Sequence, residues 1–178
     1  MTIKEQVRAD IWKWITNYIE VDNKFYDYEF PPCPYARGAR LKGIVTVNAY
    51  ESGDVKKFVS EQAHALVVDP KFEIAVLAMP PRKQWTYGFN KFIEELNAEL
   101  IPNDYYAQYG FAVKSTSAYP GLFNKGRYFI IIINKLGPVL DGHKALLKTS
   151  YYTPWSKKHY DDVVTRRNQM VEKYGKNK

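Results

Sequence analysis

The chain has 178 residues, 46% hydrophobic, 25% charged and 16% aromatic, with 10 Gly, 10 Pro and a formal net charge of +7. That aromatic content excludes a disordered chain, the modest Gly and Pro content excludes collagen-like or low-complexity sequence, and the length suits one cored domain. A single cysteine excludes an internal disulfide framework and an all-cysteine metal site, and the longest apolar run, Tyr128 to Ile133, is strand-sized rather than membrane-spanning.

Ile3, Val7, Ile11, Trp14, Ile15 and Tyr18 recur at three- and four-residue steps, which predicts an amphipathic helix over Ile3–Ile19 with Trp12 off its stripe. Phe25 to Pro32 is aromatic and ends in two prolines, so it is expected as an extended linker packed on the domain. Cys33 to Arg40 reads as a short helix with Pro34 at its first position and Cys33 at the N-cap. A β-branched run, Gly43–Ala49, predicts a strand, and Asp54 opens a helix carrying Val55, Phe58, Val59, Gln62 and Leu66. Phe72–Met79 predicts a second strand, closed by Pro80-Pro81. A helix from Thr86 or Tyr87 follows, with Phe89, Phe92, Ile93, Leu96 and Leu100 on one face.

Tyr105–Val113 is the third expected strand. Gly126–Asn134 is the fourth, its unbroken apolar run marking it as central and covered on both faces. Gly137-Pro138 turns into a helix through Lys148. After a break at Thr153–Ser156, a last helix aligns Tyr160, Val163, Val164, Arg167, Val171 and Tyr174, ahead of a frayed tail. The expected fold is α/β (or α+β), one four-stranded mixed sheet flanked by helices, in a single domain over 1–178. Within it, 1–20 is the N-terminal helix, 21–32 the aromatic segment, 33–150 the core, and 151–178 the C-terminal helix and basic tail.

Cys33 is the first candidate for chemistry. A thiol at a helix N-cap faces free backbone N–H groups and the positive end of the helix dipole, and Arg37 and Arg40 add the same sign, a setting that favours thiolate. His64 or His143 would be its base if either reaches it. The plainer reading is a small packed side chain. No two histidines lie four apart and no His–carboxylate cluster has ligand spacing, so neither a metal nor any other cofactor is expected.

Cationic stretches holding Arg37 and Arg40, Arg82 and Lys83, and Lys114, Lys125 and Arg127 point to an anionic ligand or a protein partner. Lys157, Lys158, Arg166, Arg167 and Lys173 on the last helix offer nucleic acid as an alternative. Ala107–Val113 holds the Tyr-Gly-Phe core of an RNA-recognition strand without its leading basic residue. The long loop Lys114–Gly126 lacks P-loop order and precedes a strand, which excludes a nucleotide triphosphatase. Composition leaves the oligomeric state open.

Phe30-Pro31-Pro32-Cys33-Pro34-Tyr35-Ala36-Arg37, following a Trp-containing helix, resembles the Cys-Pro-Phe/Tyr-Ala signature of small uncharacterised proteins of bacteria and tailed phages. The end of the chain, Gly126–Asn134 and Tyr151–Trp155 leading into Asp161–Val164, is similar to theirs. The resemblance implies attention to Cys33 and a His-Pro motif after the third strand; here Ser117-Ala118-Tyr119-Pro120 stands there without histidine. The family carries no established activity; a third reading is a structural or assembly component, such as of a phage particle, whose aromatic N-terminal segment packs on neighbours. Charges at Lys4, Glu5, Arg8 and Asp10 argue against a signal peptide, so a cytoplasmic protein is expected, in the host cytoplasm if phage-encoded.

Overall fold

The computed structural model describes residues 2–69, 71–80, 88–111 and 128–175. Its centre is one four-stranded sheet in the order β1-β2-β4-β3, with β1 at Val45–Ala49, β2 at Ile74–Met79, β3 at Tyr105–Phe111 and β4 at Phe129–Lys135. β1 and β2 are parallel, and β4 runs antiparallel to both β2 and β3. The fourth strand is therefore internal, as its apolar run predicts, and β1 and β3 are the two borders.

Two helices cover one face of the sheet, α3 (Val55–Val68) and α4 (Phe89–Leu100). Val59, Ala63, Phe89, Ile93, Leu96 and Leu100 pack there on Leu77, Met79, Ala107, Phe129, Ile131 and Ile133. Every second strand residue points to this side, so the other parity, Val47, Val76, Ala78 and Ile130, faces α1 (Ile3–Trp14) through Ile11, Trp14 and Ile15. Trp12 packs against the same cluster. Beyond α1 on that second face lies α5 (Leu136–Leu146), whose Leu136 and Leu140 meet Tyr106 and Met170.

Local chemistry explains where most elements start. Thr2 and Glu5 form a capping box on α1, and the Asp54 carboxylate accepts from the amides of Lys56 and Lys57 at the head of α3. The first helix does not stay α-helical to Ile19, because Ile15–Ile19 is wound as a π-turn. Helix α5 starts directly at the end of β4, without the expected turn. Its amides are held from outside, Gly137 N–H donating to Asp104 Oδ1 (2.9 Å) and Leu136 N–H to the Asp104 carbonyl (2.7 Å).

The aromatic segment is a closed loop rather than an extended linker. Asn23 N–H donates to the Phe30 carbonyl, a 3-10 turn occupies Lys24–Tyr26, and Asp27 and Tyr28 both take positive φ. Its Tyr26 ring stacks on Tyr151 at 4.8 Å and 9°.

Candidate functional site

The C-terminal helix is built from α6 (Lys157–Tyr160), a π-turn (Asp161–Thr165) and α7 (Arg166–Tyr174). Ser156 caps its start by accepting from His159 N–H at 3.1 Å. Its outer side carries ion pairs at helical spacing, Lys157 with Asp161 and Lys158 with Asp162, while Lys173 pairs with Glu94 at 2.8 Å. Its inner side buries Val164, Arg167 and Met170. Three of the five cations offered to nucleic acid are thus ion-paired and a fourth is inside the protein. The fifth, Arg166, lies 5.9 Å from the Tyr109 ring, beside a shallow groove of about 250 Å³ lined with Glu94, Gln169 and Lys173.

Arg167 is 4% exposed. Among the described residues no carboxylate lies within ion-pair distance of it, and its hydrogen bonds go to one exposed neighbour, Asn168 Oδ1, at 3.4 and 3.3 Å. Burial pulls its pKa down, while the phenols of Tyr152, Tyr106 and Tyr160 act in the opposite direction. A guanidinium is too basic to lose its proton under this pressure, so a full positive charge sits inside the protein.

The groups around it are neutral. Tyr106 comes from β3, Tyr160 from α6, Tyr152 from the segment after α5, and His143 from α5 itself. His143 Nδ1 lies 2.9 Å from the Tyr152 hydroxyl. Burial and the Arg167 charge hold His143 below the usual imidazole range, and burial pushes Tyr152 up to about 12. At neutral pH this pair is imidazole and phenol, and neither cancels the guanidinium. No described residue bonds to the hydroxyls of Tyr106 or Tyr160.

Cys33 lies on the same side of the sheet but not at a helix N-cap. Helix α2 (Ala36–Leu41) begins three residues later, with Tyr35 at the cap, and Cys33 belongs to the turn before it. Its N–H donates to the Ile19 carbonyl at 3.1 Å, fastening the turn to the end of the π-wound segment. Burial pushes the thiol up, and the amides of Tyr35 and Ala36, which favour thiolate, do not offset it. The Glu20 carboxylate adds to the rise. Arg40, expected to draw charge toward the sulfur, instead grips Glu20 in a two-pronged pair, Nε–Oε1 at 2.8 Å and Nη2–Oε2 at 2.9 Å. The expected electropositive surroundings of Cys33 are therefore replaced by a neutralised ion pair and a protonated thiol.

Of the two histidines considered as bases, His64 sits on α3, across the sheet, 3.2 Å from Glu99 on α4. It does not belong to the Cys33 face. His143 does: the Tyr35 hydroxyl donates to the Gly142 carbonyl at 3.0 Å, joining the Cys33 turn to α5 one residue before His143. The contact is close, since a Cβ at Gly142 would fall 2.7 Å from the Tyr35 ring. Arg37 is exposed on α2. Arg82, Lys83, Lys114, Lys125, Arg127 and the Ser117–Pro120 stretch lie outside the described residues.

Among the described residues no cluster of three His, Cys, Asp or Glu could hold a metal, and no helix is long and apolar enough to cross a membrane. Sequence reasoning missed Tyr106, Tyr152 and Tyr160 as neighbours of a charge. It placed Arg167 on the inward stripe and still read it as an outward cation. No protein-family model, curated protein or solved structure matches this chain.

Proposed function

We propose that the protein binds the oxyanion of a small ligand, a phosphate or carboxylate group, against Arg167 between β3, α5 and the C-terminal helix. The observation that carries this reading is a guanidinium 4% exposed with no carboxylate partner among the described residues. An unpaired ion in a protein interior costs of the order of several kcal/mol, and an anion of the right size offsets that cost. The side chains nearby suit the role: a planar fork of donors for two oxygens, with phenols at Tyr106 and Tyr160 able to donate to others. Cys33 is half-buried, and the desolvation that raises its thiol pKa disfavours a nucleophilic thiolate there. The ion pairs on the outer side of the C-terminal helix leave little free charge for a nucleic-acid backbone.

Thermal melting in inorganic phosphate or acetate, against chloride at equal ionic strength, tests the reading. A ligand that binds only the folded state raises the melting temperature with its concentration. Arg167→Met is expected to melt higher than the parent without ligand, since an apolar side chain replaces a buried charge, and to lose the ligand-dependent rise. A parent melting curve indifferent to both anions would overturn the proposal. So would a rise that survives intact in Arg167→Met.

A further inference from the structure

The rings beside His143 form a connected chain. Tyr26 stacks on Tyr151 with centroids 4.8 Å apart, Tyr151 meets Trp155 at 5.8 Å, and Trp155 lies 5.0 Å from Tyr152. Rings this close pass an electron from one to the next, so an oxidising equivalent that enters at half-buried Trp155 reaches any of them. Where it stops is set by a proton. A phenol that has lost an electron is a strong acid, and it settles as a neutral radical only where a base takes its hydrogen.

The hydroxyls of the chain differ in this respect. The Tyr151 hydroxyl donates to the Pro32 carbonyl, which is too weak a base to keep a proton. The Tyr26 hydroxyl accepts from Trp155 Nε1 at 3.0 Å and is no better, so an oxidised indole keeps its proton and remains a strong oxidant. The Tyr152 hydroxyl lies 2.9 Å from His143 Nδ1. Phenol is the more acidic donor and imidazole nitrogen the better acceptor, so the hydrogen rests on oxygen and points at Nδ1. Burial keeps His143 neutral at neutral pH and ready to accept. Burial also pushes Tyr152 up to about 12, so the side chain meets an oxidant as phenol and must shed its proton with its electron. The Arg167 charge opposes an imidazolium at His143, but an oxidised phenol outstrips imidazolium in acidity by far more than one neighbouring charge removes.

We infer that Tyr152 and His143 form a redox couple, fed through Trp155 by one-electron oxidants that meet the protein there. The oxidant takes one electron from the indole. The Trp155 radical cation takes one from Tyr152, and the phenolic proton crosses to His143 Nδ1. The products are the reduced oxidant, restored Trp155, a neutral phenoxyl at Tyr152 and an imidazolium at His143. A one-electron reductant of the ascorbate class returns the electron to the phenoxyl as the proton goes back to its oxygen. No ligand at Arg167 enters this sequence, so it stands apart from anion binding.

Flash photolysis of a ruthenium(II) polypyridyl, with a cobalt(III) ammine as sacrificial acceptor, delivers ruthenium(III) as the oxidant to the full chain. Transient absorption follows the radicals, high-field electron paramagnetic resonance reads their surroundings, and circular dichroism checks folding. The parent is expected to give a long-lived tyrosyl with the lowered g value of a hydrogen-bonded phenoxyl, and Tyr152→Phe to lose that species. His143→Gln is expected to form the tyrosyl about a hundredfold more slowly and without the lowered g value, because a carboxamide is a poor base. Trp155→Phe is expected to delay the radical and leave its g value unchanged. Should Tyr152→Phe fail to fold, the rate and g value in His143→Gln decide alone. A parent without a tyrosyl signal overturns the inference. So does the same radical in a folded Tyr152→Phe, a parental rate in His143→Gln, or a parental rate in Trp155→Phe.

Discussion

The carboxamide of Asn97 accepts from Ala107 N–H and donates to its carbonyl, with a further contact to Met170 Sδ at 3.6 Å, so a wholly buried polar group is satisfied by backbone. Replacing it with leucine removes both bonds and strands two buried peptide groups, an expected loss of about 2–4 kcal/mol on chemical denaturation. Arg167, the other polar residue buried among those described, has no such match. Neither was legible as buried, because an isolated polar residue in a helical stripe reads as a solvated face. The apolar pattern of α4 was correct around Asn97 without revealing what that position bonds to. Cys33 shows the converse error. The rule that a helix start acidifies a thiol is sound, but the helix starts three residues too late for it to apply, and desolvation wins. Iodoacetamide is therefore expected to alkylate Cys33 more slowly than a free cysteine at neutral pH, with the rate rising only at more alkaline pH. Alkylation as fast as the free amino acid at pH 7 would contradict the burial argument.

At the scale of elements, periodicity located the strands and most helices because each buries one face, and burial is written in the spacing of apolar residues. Asp54 was also readable, as an N-cap ahead of an apolar run. The start of α5 was not, since its capping group comes from Asp104, thirty-three positions earlier, on the turn before β3. Asp104 adopts a φ of 64°, which Asn tolerates and Ala resists. Asp104→Asn is expected to stay near parental stability, and Asp104→Ala to lose about 1–2 kcal/mol in the same denaturation assay. The π-turns were equally hidden, because a single added residue per turn barely disturbs an apolar stripe. The turn at Asp161–Thr165 immediately precedes the helix that carries Arg167 inward.

For the whole molecule, the two faces of the sheet divide the labour. The α3–α4 side is a largely apolar core, and the other side gathers Arg167, His143, the Cys33 turn and Tyr106, Tyr152 and Tyr160. That division sets a pH dependence. His143 and His159 are held below the usual imidazole range, chiefly by burial, so the unfolded chain binds protons first as pH falls. Their contribution is complete above the ordinary imidazole pKa of about 6.5 and is lost as pH drops through their lower folded values. Cys33 has the opposite sign: its raised pKa favours folding below the free thiol value, and that gain disappears as pH climbs through the folded one. Melting temperature is expected to fall on both sides of neutrality, with a gentler acid limb in His143→Gln. An acid limb unchanged by that substitution would assign it elsewhere. The architecture was legible as a single mixed sheet with a central fourth strand. Which face each loop residue joins was not, because that depends on packing across long separations, such as Tyr26 on Tyr151.

The Asn97 carboxamide also closes one point of the β3 rim, so a foreign strand laid along it would meet a donor and an acceptor already engaged.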